Sequence, residues 1–293
     1  IGAPVMTSVK VAVDVEGHSN GAPVVNRIYP KGEFDLFAGD QLVLVGRYHT
    51  SGKGKVKLTG KIGDDEKSFA FPADFVAKSD DDTNAFVAKL WATRRVGDII
   101  DELDLKGRNE ELIKELVALA TEHGILTPYT SFIADETSNV RDVAANSRRA
   151  LSESESLSET SGLYAFSQRA AKAQLQNAAQ TPAAAVAAPG FGGPGGDRYA
   201  GEARQKLEAA GGGFFGGNAV YFDAKEAKSA VAANCRQIGR KTFFQRGGRL
   251  VDSSVTEAQE KSAKKIERFS REYFDLVERY GKQVTQYLAL EDP

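Results

Sequence analysis

Apolar and polar positions alternate along this chain first with a period of two and later with a period near 3.6. Val9, Val11, Val13 and Val15 interleave with Lys10, Ala12 and Asp14, the pattern of a strand with one buried and one wet face, which predicts a strand over 5–15. Turn formers then lead through Tyr29 and Pro30 to the run 41–48, which is too apolar on both faces for an edge and reads as a central strand. Val56, Leu58 and Ile62, then Phe69 and Phe71, resume the alternation, with turn chemistry at 51–54 and 63–66. Closely spaced strands with tight turns predict antiparallel sheets packed face to face, a β-sandwich over 1–84.

Beyond Asp80, Asp81 and Asp82 the period lengthens. With Asp82 or Thr83 as cap, Phe86, Leu90, Val96, Ile99, Ile100 and Leu103 form a helical stripe over 85–106 that Gly107 ends. Asn109 starts a second helix with Glu110 and Glu111 at its positive end. It carries Leu112, Ile113, Leu116, Val117 and Ala120 on one face and closes at Gly124. Residues 125–134 read as extended, with Pro128 in the bend, so 85–136 is a helical segment with a terminal extended strand. Over 137–218 Ala, Ser, Gly, Gln and Pro dominate. That composition offers too little apolar surface to offset about 1–2 kcal/mol per residue of backbone ordering, and it predicts a flexible low-complexity linker.

Order is expected again over 219–293: a strand near 220–222, an Ala-rich helix around 224–234, and a β-hairpin whose arms 241–245 and 249–251 flank Gly247 and Gly248. From Val255 onward one long amphipathic helix is expected. Ile266, Phe269, Tyr273, Leu276, Tyr280 and Val284 follow each other at three- and four-residue steps, a seam close to a heptad that requires a partner surface. The fold class expected is therefore mixed α and β: an antiparallel β-sandwich, then helices, a linker, a hairpin and a long C-terminal helix.

Composition narrows the chemistry. Thirty-eight Lys and Arg against 40 Asp and Glu in 293 residues give no chain-wide pull towards nucleic acid. The longest apolar runs stop short of the ~18 residues of a membrane span. One cysteine, Cys235, excludes an internal disulfide framework and a thiolate-rich zinc site, and His18, His49 and His123 lack metal-ligand spacing. Gly211, Gly213 and Gly216 satisfy a dinucleotide-type glycine pattern, but no strand precedes them, and they read as linker. Gly52-Lys-Gly-Lys55 reads as a basic turn, and three adjacent aspartates at 80–82 point in different directions, which suits an acidic helix start better than calcium. Cys235 has no histidine near it in sequence and reads as an incidental thiol. Arg94 and Arg95 read as ion-pair partners within the fold. No catalytic, cofactor or metal residue emerges, and a hydrolase has only the abundance of carboxylates behind it. Lys53, Lys55 and Lys57, with Arg246 and Arg249, form the candidate set for a polyanion or glycan.

Several strings carry a resemblance to a known family. Ile28-Tyr-Pro30, Asp35-Leu-Phe-Ala-Gly-Asp40 and Leu42-Val-Leu-Val-Gly-Arg-Tyr48 resemble the segment after the von Willebrand A (VWA) domain in proteins of the inter-alpha-trypsin inhibitor heavy chain type, which carry a VIT domain followed by a VWA domain. Leu90-Trp-Ala-Thr-Arg-Arg-Val96 and Leu119-Ala-Thr-Glu-His-Gly-Ile-Leu-Thr-Pro-Tyr-Thr-Ser131 look like that family's following helices. Gly239-Arg-Lys-Thr-Phe-Phe-Gln-Arg-Gly-Gly-Arg-Leu-Val-Asp252 is similar to the C-terminal hairpin of its bacterial members. The resemblance covers 1–135 and 220–290. The VIT and VWA domains themselves have no counterpart in the chain, so no metal ligand carries over. What the resemblance implies is a piece of a longer polypeptide: a non-enzymatic structural or interaction module supporting adhesion or assembly, extracytoplasmic at the cell surface, in the periplasm or secreted. Its partners are then the VIT/VWA region of the same precursor, another subunit, or a second copy in a homo-oligomer. The Ile266–Val284 seam and a sheet edge are the expected contact surfaces.

Overall fold

A computed structural model describes residues 3–17, 23–79, 84–127, 129–130, 133, 139–156, 172–173, 175–176, 217–223, 228–238 and 241–289. The protein is a mixed α and β chain with antiparallel sheets and several helices, in two compact units that divide between Asp81 and Asp82.

The first unit holds six strands: β1 Pro4–Val15, β2 Val25–Tyr29, β3 Phe34–Phe37, β4 Val45–Tyr48, β5 Gly52–Ile62 and β6 Asp65–Phe75. A four-stranded antiparallel sheet runs β3-β1-β5-β6, and β2 and β4 form a separate two-stranded ribbon. The β5–β6 hairpin turns at Gly63, whose φ of 62° suits a residue without Cβ. Two expectations change here. Only 45–48 of the run 41–48 is strand, and among the described residues it pairs with β2 in a two-stranded ribbon rather than at the centre of a sheet. Gly52-Lys-Gly-Lys55 is not a turn but the start of β5, paired on one side with β1 and on the other with β6. Its glycines serve packing: a Cβ on Gly54 would lie 2.3 Å from the Asp14 carbonyl oxygen. The unit's buried apolar residues are Met6, Val9, Val15, Val24, Tyr29 and Val45, a small core for its length.

In the second unit α1 spans Ala85–Lys106 and α2 Glu110–His123. Asn109 caps α2 by accepting from the N–H groups of Glu111 and Leu112 at 3.0 and 3.1 Å, and Gly124 closes it in the left-handed region at φ 61°. The expected stripe on α1 understates its surroundings. Every residue from 89 to 100 is buried, whereas Phe86 is half exposed. A helix covered on all sides must bury charge, and Arg95, 7% exposed in its side chain, sits among three carboxylates. It forks onto Glu115 at 3.0 and 2.6 Å and reaches Asp98 at 2.7 Å and Glu102 at 3.3 Å. The described residues just after α2 turn rather than run extended: the Thr130 N–H donates to the Thr127 carbonyl at 3.0 Å, and the two threonine hydroxyls lie 2.9 Å apart.

A third helix, α3 Val143–Ser156, falls inside the stretch whose composition predicts linker, and it buries Asn146, Ser147 and Ala150. Residues 172–173 and 175–176 are helical as well and rest on α1 at Gly97, with Lys172 paired to Asp101 at 2.8 Å and Asp104 at 3.0 Å. A second antiparallel sheet, ordered β10-β9-β8-β7, comprises β7 Gly217–Asp223, β8 Lys228–Ile238, β9 Lys241–Arg246 and β10 Arg249–Asp252. The Ala-rich helix expected around 224–234 is thus replaced by β8, because pairing on both sides satisfies its backbone better than alanine's helix preference can. Cys235 and Phe244 of this sheet join Ala120, Leu126, Ile133 and Val140 in one core cluster. The C-terminal helix is not continuous. It is divided into α4 Glu257–Lys261, α5 Arg271–Tyr280 and α6 Lys282–Leu288, with Ser270 capping α5 and Gly281 at φ 52° ending it.

Candidate functional site

The apolar seam meets this broken helix in an unequal way. Ile266 lies in the coil before α5, Phe269 has a positive φ of 63° and is 68% exposed, and Tyr273, Leu276 and Tyr280 ride on α5, while Val284 is on α6. No residue of α5 is buried. At about 100° per residue, Tyr273, Phe274, Leu276, Val277 and Tyr280 fall within an arc of about 160°. Phe269 and Tyr273 meet tilted at 56° with centroids 5.6 Å apart, and Tyr273 meets Phe274 edge-on at 5.4 Å, so the aromatics cluster with one another. By contrast α6 is anchored: Tyr287 packs on Phe243 at 5.9 Å, with the Lys241 ammonium 5.7 Å from the Tyr287 ring.

The first unit presents two unlike sheet faces. Register places Val11 beside Leu58 and Leu58 beside Phe69, then Val13 beside Val56 and Val56 beside Phe71. Phe69 and Phe71 are 45% and 53% exposed on that apolar face. On the other face Lys53, Lys55 and Lys57 project from alternate positions of β5, all exposed, with Asp74 and Asp14 as cross-strand neighbours of Lys53 and Lys55. Strand geometry separates such lysines by about 6.7 Å. Arg246 and Arg249 belong to the second unit and do different things. Arg246 donates to the carbonyls of Ile133 at 2.8 Å and Gln245 at 2.7 Å, so its donors are turned inward. Arg249 is exposed, 3.7 Å from Glu260, which also accepts from Arg141. β6 is a sheet edge, but Pro72 in its middle removes a backbone donor and blunts it.

Three buried titratable groups lie where α1, α2, β8 and β9 meet: Cys235 and His123, which the sequence offers only as an incidental thiol and a histidine without ligand spacing, and Lys89, which it does not single out. Lys89 is 5% exposed, and burial drives its pKa down. Cys235 is 1% exposed; burial pushes its thiol up to about 11 against the opposing pull of Lys89 and Arg246. Burial also lowers His123, which Glu122 counteracts and Lys89 reinforces. A thiol so placed is protonated at neutral pH and shielded, the opposite of an activated nucleophile. Only Gly124, whose absent Cβ would lie 3.1 Å from Cys235 Sγ, hints in the sequence at how closely α2 approaches β8.

Between α2 and α3 lies a shallow cavity of about 220 Å³ lined by Glu110, Ile113, Lys114, Ala144, Ser147, Arg148 and Leu151. It is smaller than the ~300 Å³ at the low end of small-molecule sites. Among the described residues no three His, Cys, Asp or Glu gather in a way that could hold a metal ion, and no helix is long and apolar enough to cross a membrane. Asp80–Asp82, His18, Gly211, Gly213 and Gly216 lie outside the described residues.

No protein-family model matches this sequence, and no curated protein or solved structure matches it.

Proposed function

We propose that this chain is a non-enzymatic structural and interaction module of an extracytoplasmic VIT/VWA-type protein, supporting adhesion or assembly. The observation that carries the reading is α5, an amphipathic helix none of whose residues is buried although five of its ten positions are apolar. Leaving such a face in water forgoes about 25 cal/mol per Å² of apolar surface, a cost that a docking partner removes. The apolar sheet face with Phe69 and Phe71 adds a second surface of the same kind, on which further strands from a partner would complete a sandwich. The string resemblances in 1–135 and 220–290 supply the family and the compartment.

The test is site-specific photo-crosslinking in cells of origin, with a photoreactive residue at Leu276 and, as control, at Asp275 on the polar side of α5. The expected result is a Leu276-specific adduct whose tryptic peptides come from a VIT/VWA-containing polypeptide or from this chain. Absence of any Leu276-specific adduct overturns the reading.

A second reading, polyanion or glycan binding, rests on the row of Lys53, Lys55 and Lys57 along one face of β5. Binding of a sulfated polysaccharide is then expected to weaken steeply with salt and to lose part of that slope when all three become Ala. Binding that ignores salt overturns it.

A further inference from the structure

The shallow cavity between α2 and α3 is built from one stripe of each helix. On α2 it takes Glu110, Ile113 and Lys114, and on α3 Ala144, Ser147, Arg148 and Leu151, spacings of three and four that put each set on a single face. Ile113, 2% exposed, makes its floor apolar. Its exposed rim is charged: Lys114 comes from one helix and Arg148 from the other, with Glu110 the single acid. The lining is thus positive by one charge in a chain whose net charge is -2. Among the described residues none gives Lys114, Arg148 or Glu110 an ion-pair partner. Ser147 in the same wall is 8% exposed, and its hydroxyl has no hydrogen-bond partner. A serine inside a helix can return its hydroxyl to the carbonyl one turn back, so this orphan marks a partner that the chain alone does not supply.

We propose that this groove seats a short acidic peptide segment of a partner protein, with one apolar side chain in the cavity and a nearby carboxylate between Lys114 and Arg148. The surface is separate from α5, and the proposal does not rest on docking there. An extended segment turns residues i and i+2 to the same side, so the pattern it fits is an apolar residue with an acid two positions away. The volume of about 220 Å³ is below that of sites that enclose a whole small molecule and suits one anchored side chain of a longer chain. A peptide also brings a backbone carbonyl to accept from Ser147, whereas a simple alkanoate has only the two oxygens that face the cations. Basic segments are repelled by the rim. Nucleic acid meets Glu110 and finds no aromatic ring in the lining on which a base could stack.

One side chain and one charge-assisted contact make a weak site, with a Kd on the order of 1 mM. The experiment is a titration of the 15N-labelled full chain followed by amide chemical shifts. The probe is acetyl-Gly-Ser-Leu-Ser-Glu-Gly-amide; the same peptide with Lys in place of Glu, and hexanoate, are the comparisons. Shift changes are expected at 110–114 and 144–151, with the acidic peptide binding about tenfold more tightly than either comparison. Lys114→Glu combined with Arg148→Glu should reverse the preference in favour of the lysine peptide. Ser147→Ala should weaken the acidic peptide about threefold to tenfold without lowering the urea midpoint, because the hydroxyl bonds nothing in the free chain. Urea midpoints followed by Trp91 confirm that the variants are folded. Shifts at 110–114 and 144–151 that ignore the acidic peptide, or that follow the lysine peptide equally, overturn the proposal. Equal binding of hexanoate overturns a peptide as the occupant.

Discussion

Replacing Arg95 by Ala should destabilise the second unit by about 3 kcal/mol. Breaking a buried ion pair by removing one partner costs about 3–5 kcal/mol, because desolvated charge loses its counterpart. Here the loss falls on Asp98, Glu102 and Glu115, whose side chains are 12%, 27% and 25% exposed. The two glutamates can regain water, which places the cost at the lower end. Arg95→Lys keeps the charge and loses the side-on fork onto Glu115, so about 1.5 kcal/mol is expected. The assay is urea denaturation followed by fluorescence of Trp91, the chain's single tryptophan, which is buried one turn before Arg95 on α1 and therefore reports on the second unit alone. A loss under ~1 kcal/mol for the Ala variant, or equal losses for Lys and Ala, refutes the reasoning.

Lys89 gives a pH prediction. Burial lowers its folded pKa below the ordinary 10.5, so between those two values the unfolded state binds more protons and stability rises with pH. Lys89→Met should remove that rise and stabilise the unit at neutral pH, measured as urea midpoints across pH; an unchanged slope refutes it. Gly97→Val puts side-chain carbon where Leu175 Cβ and Gln176 N stand 2.9 Å from the missing Cβ. Displacement of 172–176 is expected, seen as faster amide exchange there and a loss of about 1–3 kcal/mol. Asn109→Ala strips the cap from two α2 N–H groups and should cost about 1 kcal/mol in the same denaturation assay.

The elements legible in the sequence are those whose ends are written locally. α1 and α2 stop at Gly107 and Gly124, α2 starts at Asn109, and the β9–β10 turn is carried by Gly247 and Gly248 at φ 54° and 74°. What eluded sequence reasoning depends on neighbours. β8 is rich in alanine and becomes a strand because β7 and β9 pair with it; α3 orders in an Ala- and Ser-rich stretch because it packs against α2. The seam misled in another way: its even spacing spans Ser270 and Gly281, two local stop signals that outweigh periodicity when no partner surface holds a long helix together. Of the candidate surfaces, the sequence names Lys53, Lys55 and Lys57 as a basic set but reads 52–55 as a turn; only the pairing of β5 with β1 and β6 puts the three on one strand face. That Arg246 turns inward follows from a fold the sequence does not display.

Within one unit, then, a helix buried through residues 89–100 coexists with a helix none of whose residues is fully buried. This predicts a separation of stability from contact. Leu276 is only half-buried and is not a member of the core cluster of Ala120, Leu126, Ile133, Val140, Cys235 and Phe244, so Leu276→Asp should change stability followed by Trp91 by less than about 0.5 kcal/mol. The same change puts a carboxylate into the apolar arc, where docking would have to desolvate it, and should abolish the partner adduct formed from a photoreactive residue at neighbouring Val277. Arg95→Lys should do the reverse, weakening the fold while leaving the α5 adduct intact as long as the unit stays folded. If Leu276→Asp lowers stability as much as a core substitution does, about 2 kcal/mol or more, then α5 is packing against its own unit, and the case for it as a contact surface fails.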